Sequence, residues 1–200
     1  MKLLYTGNSP YARRARVAII EAGLSDRIQQ IDIEPRDENI QQLLDHNPSG
    51  KVPLLVLDEG GGLCESLLIC HYLDELSGGR LYPKDGARRL AALELEGVAS
   101  ALMDSLFVRA RENRRDESER SLGVIQLETV RADRCYDALQ LLIGAGDDID
   151  HMGGYAAVCA LGYADWRHPG DDWRDGRQSL HGWYDRMMER PSLAQTKPVF

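Results

Sequence analysis

The chain has 200 residues, 43% of them hydrophobic, which is enough to bury one medium core or two small ones and excludes a disordered chain. Its formal net charge of -8 and its pI of about 5.1 argue against nucleic acid as a partner, because nucleic-acid binders usually present a basic surface. No apolar run reaches membrane-spanning length, so we expect no transmembrane helix.

The four cysteines predict neither disulfide bonds nor a metal site. They form no CxxC pair and lack the spacing of zinc ligands, so the simplest interpretation is a chain in a reducing cytoplasm. The first apolar residues end at Gly7, too early for a signal peptide. We therefore expect a cytoplasmic protein without a metal and without a membrane or nucleic-acid partner.

The chain begins with a predicted strand and a predicted helix. Residues 2–6 are rich in Leu and Tyr, as in a short strand. The turn over residues 7–10 is also a helix start, because Ser9 is a good N-cap and Pro10 a good first helical residue. The helix is predicted over residues 10–22 and ends at a glycine.

The remaining elements of the first 79 residues complete a thioredoxin-like order. Apolar runs of Leu, Ile and Val predict strands, and a Gly-rich hairpin turn separates the last two of them. In chain order we expect a strand over residues 28–33, a short polar helix over 38–45, strands over 53–57 and from 63, and a helix over 65–76. This order predicts an α/β domain with a mixed four-stranded sheet over residues 1–79.

The second part of the chain has the helical period throughout. Residues 80–86 are a natural linker, and residues 87–200 are predicted to form an all-α helical bundle domain. The first long helix, over residues 87–115, carries one apolar stripe: Ala91, Leu95, Val98, Leu102 and Leu106. Further helices are expected over residues 117–143, 153–165 and 178–189 and after residue 191.

Four segments of the chain together resemble one known family. They are residues 9–14 (SPYARR), residues 47–53 (NPSGKVP), the pair Glu65-Ser66 and residues 190–194 (RPSLA). In this order and at these separations they are similar to segments of the bacterial cytosolic glutathione S-transferases, and the likeness covers most of the chain. The resemblance implies a thioredoxin-like glutathione-binding domain, a helical domain and a homodimer.

The resemblance also implies how glutathione is bound. Glu65 would accept from the γ-glutamyl ammonium, and Ser66 would donate to the adjacent carboxylate at the positive end of a helix. Val52 would pair with the glutathione main chain beside a cis Pro53, and Lys51 would meet the glycyl carboxylate. Each feature also has a structural interpretation: an ordinary helix N-terminus, the start of an edge strand, and a solvated lysine.

Ser9 is the catalytic candidate. It would lie at the N-terminus of the first helix, where a hydroxyl donor and the helix end lower the pKa of the glutathione thiol. A serine that only caps the helix would occupy the same place, and Asn8 and Tyr5 are alternative donors. Some family members have Cys at this position, so Ser9 favours conjugation or thiol addition over disulfide exchange.

Other residues have a plain structural interpretation. Cys64, in a strand, is expected in the core. The arginines at the end of the first long helix are expected to form a solvated face; they are Arg109, Arg111, Arg114 and Arg115. The family usually opens a core helix of the second domain with a Ser or Thr cap, which the stretch from His151 lacks. Asp150 is a possible substitute, and two glycines weaken this start.

The function implied is a glutathione transferase active in detoxification. Glutathione is its co-substrate, and the thiolate attacks an electrophilic small molecule. Two alternatives stay open. One is a non-enzymatic interaction protein on the same scaffold, since a fold does not fix a function. The other is a glutathione-dependent isomerase, which shares the site.

Overall fold

The computed structural model describes residues 1–34, 40–144 and 149–198, which form two compact units. One unit holds Met1–Asp85 together with the described residues from Ser192 on, and the other holds Gly86–Pro191. The first unit mixes strands and helices and the second is helical. The predicted fold class is confirmed.

The first unit is built on a four-stranded mixed sheet in the order β2-β1-β3-β4. Its strands are β1 (Lys2–Tyr5), β2 (Gln29–Asp32), β3 (Leu54–Val56) and β4 (Gly62–Cys64). Strand β2 is parallel to β1, while β3 is antiparallel to β1 and to β4. The helices between them are α1 (Pro10–Glu21), α2 (Ile40–Leu44) and α3 (Ser66–Leu76). The predicted start of the second helix, at residue 38, lies outside the described residues.

The centre of the sheet is apolar on both faces. Leu3 pairs with Leu55 and Leu4 with Leu54, and all four side chains are buried. Neighbouring residues of a strand point to opposite faces, so each face receives one of these pairs. Leu4 and Leu54 pack with Leu43 of α2 in one cluster. A central strand that is buried on both faces needs a continuous apolar run, which is the pattern of the sequence here.

The described part of the second unit contains four long helices, three of which start within one residue of the prediction, while the other starts five residues late. They are α4 (Gly86–Asn113), α5 (Leu122–Ile143), α6 (Met152–Arg167) and α7 (Gln178–Met188). Helix α5 starts at Leu122 rather than at residue 117 because Ser121 caps it. The Ser121 hydroxyl accepts from the amide of Val124 over 3.3 Å, and the Ser121 amide donates to Glu112 over 2.6 Å.

The buried stripe of α4 agrees with the prediction only in part. Leu95, Leu102 and Leu106 are buried, but Ala91 is exposed and Ala92 is buried in its place.

None of the helices in the described ranges combines the length and the apolar composition that crossing a bilayer requires.

Arg109 contradicts the prediction of a solvated arginine face, since it is only 2% exposed. Its Nε donates to Nδ1 of His168 over 3.2 Å, its Nη1 donates to Thr129 over 3.1 Å, and its Nη2 pairs with Asp171. Because Nδ1 of His168 accepts, its Nε2 donates to the carbonyl of Leu106 over 2.9 Å, and burial lowers the pKa of this imidazole. A guanidinium can be buried where its donors find partners. The other three arginines of the set are exposed.

Helix α6 begins with a cap that was not predicted. Nδ1 of His151 accepts from the amide of Gly153 over 3.2 Å, so the imidazole takes the place of a Ser or Thr hydroxyl. Burial lowers the pKa of His151, although the nearby Asp150 carboxylate opposes the shift. Asp150 is not the substitute cap, because it accepts from the Tyr155 hydroxyl and, over 2.9 Å, from Arg190.

The two glycines at this helix start have a packing role. A Cβ on Gly153 would lie 2.5 Å from the carbonyl oxygen of Ala92, and one on Gly154 would lie 2.6 Å from that of Ile149. No side chain fits at such distances. The glycines weaken an isolated helix, but here they allow its first turn to touch the neighbouring main chain.

The first unit includes two segments that were predicted to lie outside it. Leu81 and Tyr82, in the predicted linker, are buried, and their amides donate to Asp74 over 2.8 and 3.1 Å. The described residues from Ser192 on, which include α8 (Pro191–Gln195) except its first residue, also belong to the first unit. There the buried Arg13 donates to the carbonyl of Leu193 over 3.0 Å.

Candidate functional site

The register of the sheet brings the predicted site segments to one end of it. Leu4 of β1 pairs with Leu54 of β3, so the preceding Val52-Pro53 lies beside the turn that follows β1. Leu54 also pairs with Cys64 of β4, which places Val52-Pro53 beside Glu65. The starts of α1, β3 and α3 are therefore neighbours, although they are far apart in the chain.

Ser9 forms the N-cap of α1. Its hydroxyl oxygen accepts from the amide of Ala12 over 3.2 Å, and its own amide donates to the carbonyl of Thr6 over 3.1 Å. A hydroxyl group has two acceptor positions and one hydrogen to donate. Because the cap uses only an acceptor position, the half-buried Ser9 keeps its hydrogen for a ligand at the positive end of α1.

The loop before β3 is organised by Asn47, which is 1% exposed. Its Nδ2 donates to the carbonyl of Lys51 over 2.9 Å, and its Oδ1 accepts from the amide and hydroxyl of Ser49 over 3.0 and 2.8 Å. The peptide bond between Val52 and Pro53 is cis, as the resemblance implies. Val52 is half-buried and Lys51 is exposed, so both remain accessible to a ligand.

Glu65 holds an unusual backbone conformation. Its φ of 75° is the only positive value among the described residues other than glycine. The prediction began the helix at Glu65, but this residue is the N-cap, and its Oε2 accepts from the amide of Leu67 over 3.0 Å. Such a conformation costs about 1–3 kcal/mol and is found at ligand clamps and active sites. An exposed carboxylate held in this way is a candidate ligand-binding group.

A chain of hydrogen bonds beneath Glu65 orients it. Nη2 of Arg14, a residue 1% exposed, donates to the hydroxyl of Ser66 over 2.6 Å, and that hydroxyl donates to Oε1 of Glu65 over 3.3 Å. A guanidinium can only donate, so the hydrogen of the Ser66 hydroxyl is directed to Glu65. The donors that α3 can offer to an anion are therefore its first main-chain amides, including that of Ser66.

The sequence alone did not identify Arg14 as a functional residue. It was only part of the segment over residues 9–14 that carries the family resemblance. The signal that could have identified it is an arginine among small residues: Ala12, Ala15 and Ala18 of α1 are all buried. A buried guanidinium needs a partner on another element. Ser66 supplies that partner, so Arg14 connects α1 to the start of α3.

Cys64 is exposed, which contradicts its predicted place in the core. Strand β4 lies at the edge of the sheet, and both residues that flank its central Leu63 are exposed.

No group of His, Cys, Asp or Glu side chains within the described ranges is arranged to hold a metal ion.

Comparison with known proteins identifies relatives along the whole chain. The family model of the glutathione S-transferase N-terminal domain matches residues 8–76. The uncharacterized GST-like protein YibF of Escherichia coli K12 is 27% identical, with 99% of this chain and 98% of YibF covered.

Two solved structures are 30% identical to this chain. One is a glutathione transferase family member from Pseudomonas fluorescens Pf-5 with bound glutathione. The match covers 100% of this chain and 99% of the Pseudomonas chain, with a TM-score of 0.91. The other is a glutathione S-transferase from Methylobacterium radiotolerans in complex with glutathione sulfonate. This match covers 100% of this chain and 95% of the Methylobacterium chain, with a TM-score of 0.89.

Proposed function

The chain belongs to the glutathione S-transferase family, and from this premise we propose that it is a glutathione transferase. Glutathione lies at the end of the sheet formed by Ser9, Val52-Pro53 and Glu65-Ser66, and its thiolate attacks an electrophilic small molecule. The observation that carries the proposal is the sheet register, because it brings these segments together at one place. Each segment matches a different group of the same ligand.

Four contacts hold the tripeptide in this proposal. The Glu65 carboxylate accepts from the γ-glutamyl ammonium, and the first amides of α3 donate to the adjacent carboxylate. The main chain of Val52 pairs with the middle of the ligand, as an added strand would. The exposed Lys51 meets the glycyl carboxylate. Arg14 acts through Ser66 and Glu65 as a positioning residue.

The chemistry depends on the sulfur. A free thiol is mostly protonated at neutral pH, whereas the thiolate is the nucleophile. The Ser9 hydroxyl donates its hydrogen to the sulfur, and the N-terminus of α1 adds positive partial charge. Both favour the thiolate and lower the pKa of the thiol. The thiolate then forms a bond to the electrophilic carbon, while a leaving group departs with its electron pair.

Calorimetric titration with glutathione tests this proposal. We expect saturable heat at millimolar glutathione and a roughly tenfold weaker affinity for Glu65→Gln, because the ammonium loses its ionic partner. The matched control is Glu59→Gln, which removes an exposed acid from the hairpin before β4 and should leave the affinity unchanged. The absence of saturable heat in the wild-type titration would refute the proposal.

A further inference from the structure

A polar cavity of about 540 Å³ lies in the first unit beside the proposed glutathione site. Its wall includes Thr6 and Asn8 from the turn after β1, Arg16 from α1, Asp32 from β2 and Lys197 from the last described residues. Among the described residues, none of those proposed to bind glutathione lines it. The cavity reaches the residue before Ser9, so a molecule inside it would lie next to the proposed position of the sulfur.

Arg16 is a cation of this wall whose guanidinium is held by two contacts. It is half-buried, its Nε donates to Oε1 of Gln30 over 3.1 Å, and its guanidinium lies over the ring of Tyr5 with 4.3 Å to the centroid. These two contacts hold the plane of the guanidinium in place. The two terminal nitrogens carry four further N–H groups, and none of these donates a hydrogen bond to a described residue.

Two acids, Asp32 and Glu34, line the same cavity, and neither forms an ion pair with Arg16 within the described ranges. Asp32 pairs with Tyr5 across the sheet, and its Oδ2 is 3.7 Å from the place that a Cβ on Gly7 would occupy. Within the part of the chain that the structure describes, Asp32 forms no ion pair with Lys197 either. The cavity therefore holds an oriented guanidinium with free terminal N–H groups, and two acids that are not paired with it.

We propose that this cavity binds the electrophile and that the electrophile carries a carboxylate, which Arg16 binds with its terminal N–H groups and Lys197 attracts. The inference rests on the proposed transferase function. Arg is the side chain best suited to a planar carboxylate, because its N–H fork matches the two oxygens. Asp32 and Glu34 repel a second negative charge, so a monocarboxylate is preferred over a dicarboxylate.

The spacing along α1 fits an electrophile of one ring. Arg16 follows Ser9 by seven residues, which is two helical turns and about 10 Å of rise, so both lie on the same face of α1. Helical side chains lean toward the N-terminus, which brings the guanidinium closer to Ser9. A ring can span the remaining distance, with its carboxylate at Arg16 and its reacting carbon at the sulfur.

Binding is measured first, without glutathione, with benzoate and its neutral isostere benzamide as probes in calorimetric titrations. Benzoate should bind about tenfold more tightly than benzamide, and Arg16→Gln should abolish the difference because it removes the charged donors. Asp32→Asn should tighten benzoate about twofold, since a like charge is lost. Arg27→Gln, which removes an exposed arginine outside the cavity, is the control and should keep the selectivity. Equal binding of the two probes by the wild-type chain would overturn the inference.

Turnover is measured next with 4-chloro-3-nitrobenzoate and the corresponding benzamide. In both reactions the glutathione sulfur bonds to the ring carbon, the C–Cl bond breaks and chloride leaves with its electron pair, while the thiol proton passes to solvent. Relative to the uncatalysed rates, kcat/KM should favour the acid about tenfold, and Arg16→Gln should remove this preference. Arg16→Lys should retain part of it.

The outcomes separate the two proposals. If glutathione binds and the amide reacts as well as the acid, the transferase function stands and the carboxylate inference is wrong. If benzoate binds selectively but only the amide reacts, the cavity is not the electrophile site, which also overturns the inference. If neither glutathione heat nor turnover is found, the transferase function itself falls, and with it the assignment of an electrophile to this cavity.

Discussion

Helices α3 and α6 begin in opposite ways. The cap of α3 is the exposed carboxylate of Glu65, held at a positive φ and tied to the buried Arg14 through Ser66. The cap of α6 is the half-buried imidazole of His151, and the first turn behind it is packed against main chain through Gly153. Both caps satisfy amide groups that a helix start leaves without partners.

The comparison shows that the unpaired amides of a helix start can be capped in two ways, with different consequences. At α6 the neutral cap and the buried glycines shield the helix start from solvent. This helix start therefore contributes only to the stability of the fold. At α3 a charged and exposed cap keeps the helix start open to solvent, at the cost of a strained backbone. Substitutions at α6 should therefore change stability, whereas those at α3 should change ligand affinity.

The largest effect is expected for Gly153→Ala, since its Cβ would lie 2.5 Å from the carbonyl oxygen of Ala92. The overlap should lower the free energy of unfolding by roughly 2–3 kcal/mol, measured by urea denaturation. The control is Gly97→Ala, at an exposed position of α4 with nothing within 4 Å, which should raise stability by about 0.5–1 kcal/mol. Equal stability of the two variants would contradict the close packing at α6.

A smaller effect is expected in the pH dependence of stability. The folded-state pKa of His151 lies below the ordinary value of 6.5, so the unfolded chain binds a proton first as the pH falls. The contribution of this group is thus complete above pH 6.5 and is lost on the acid side of it. His151→Asn keeps a cap acceptor but does not titrate, so the loss of stability with acid should become shallower.

The matched control for this pH experiment is His46→Asn, since His46 is an exposed histidine of the first unit. Urea denaturation at several pH values on either side of 6.5 gives the slopes. His46→Asn, the same exchange at an exposed position, is measured at the same pH values to give the effect of the exchange itself. A slope that is the same in His151→Asn and the wild type would show that His151 does not titrate in the way its burial implies.

The fold could be predicted because its signals are local. The strand near Lys2, the cap at Ser9 and the glycine after α1 each follow from the preference of one or two residues. Burial inside the helical unit was less predictable, because Arg109 and Ala91 differ in exposure from what one helix period implies. Burial depends on which neighbouring helix covers a face, and one helix does not contain that information.

The candidate site was predictable as a set of segments but not as a network. The bond from Arg14 to Ser66 joins two elements, and His151 is a cap only because its ring is held next to Gly153. The cavity at Arg16 likewise forms from residues of four segments. The roles of the site residues, the homodimer and the cytoplasmic location stay predictions.

The most direct test of the site is the titration of the glutathione thiol in the bound state, followed by the ultraviolet absorbance of the thiolate. An unperturbed cysteine thiol has a pKa near 8.5, and the bound thiol should have a pKa lower by about one unit or more. Ser9→Ala should move that pKa back toward the free value. Ser121→Ala, which loses a similar cap at α5, should leave it unchanged. A wild-type complex whose thiol titrates as in free glutathione would contradict a sulfur held at Ser9.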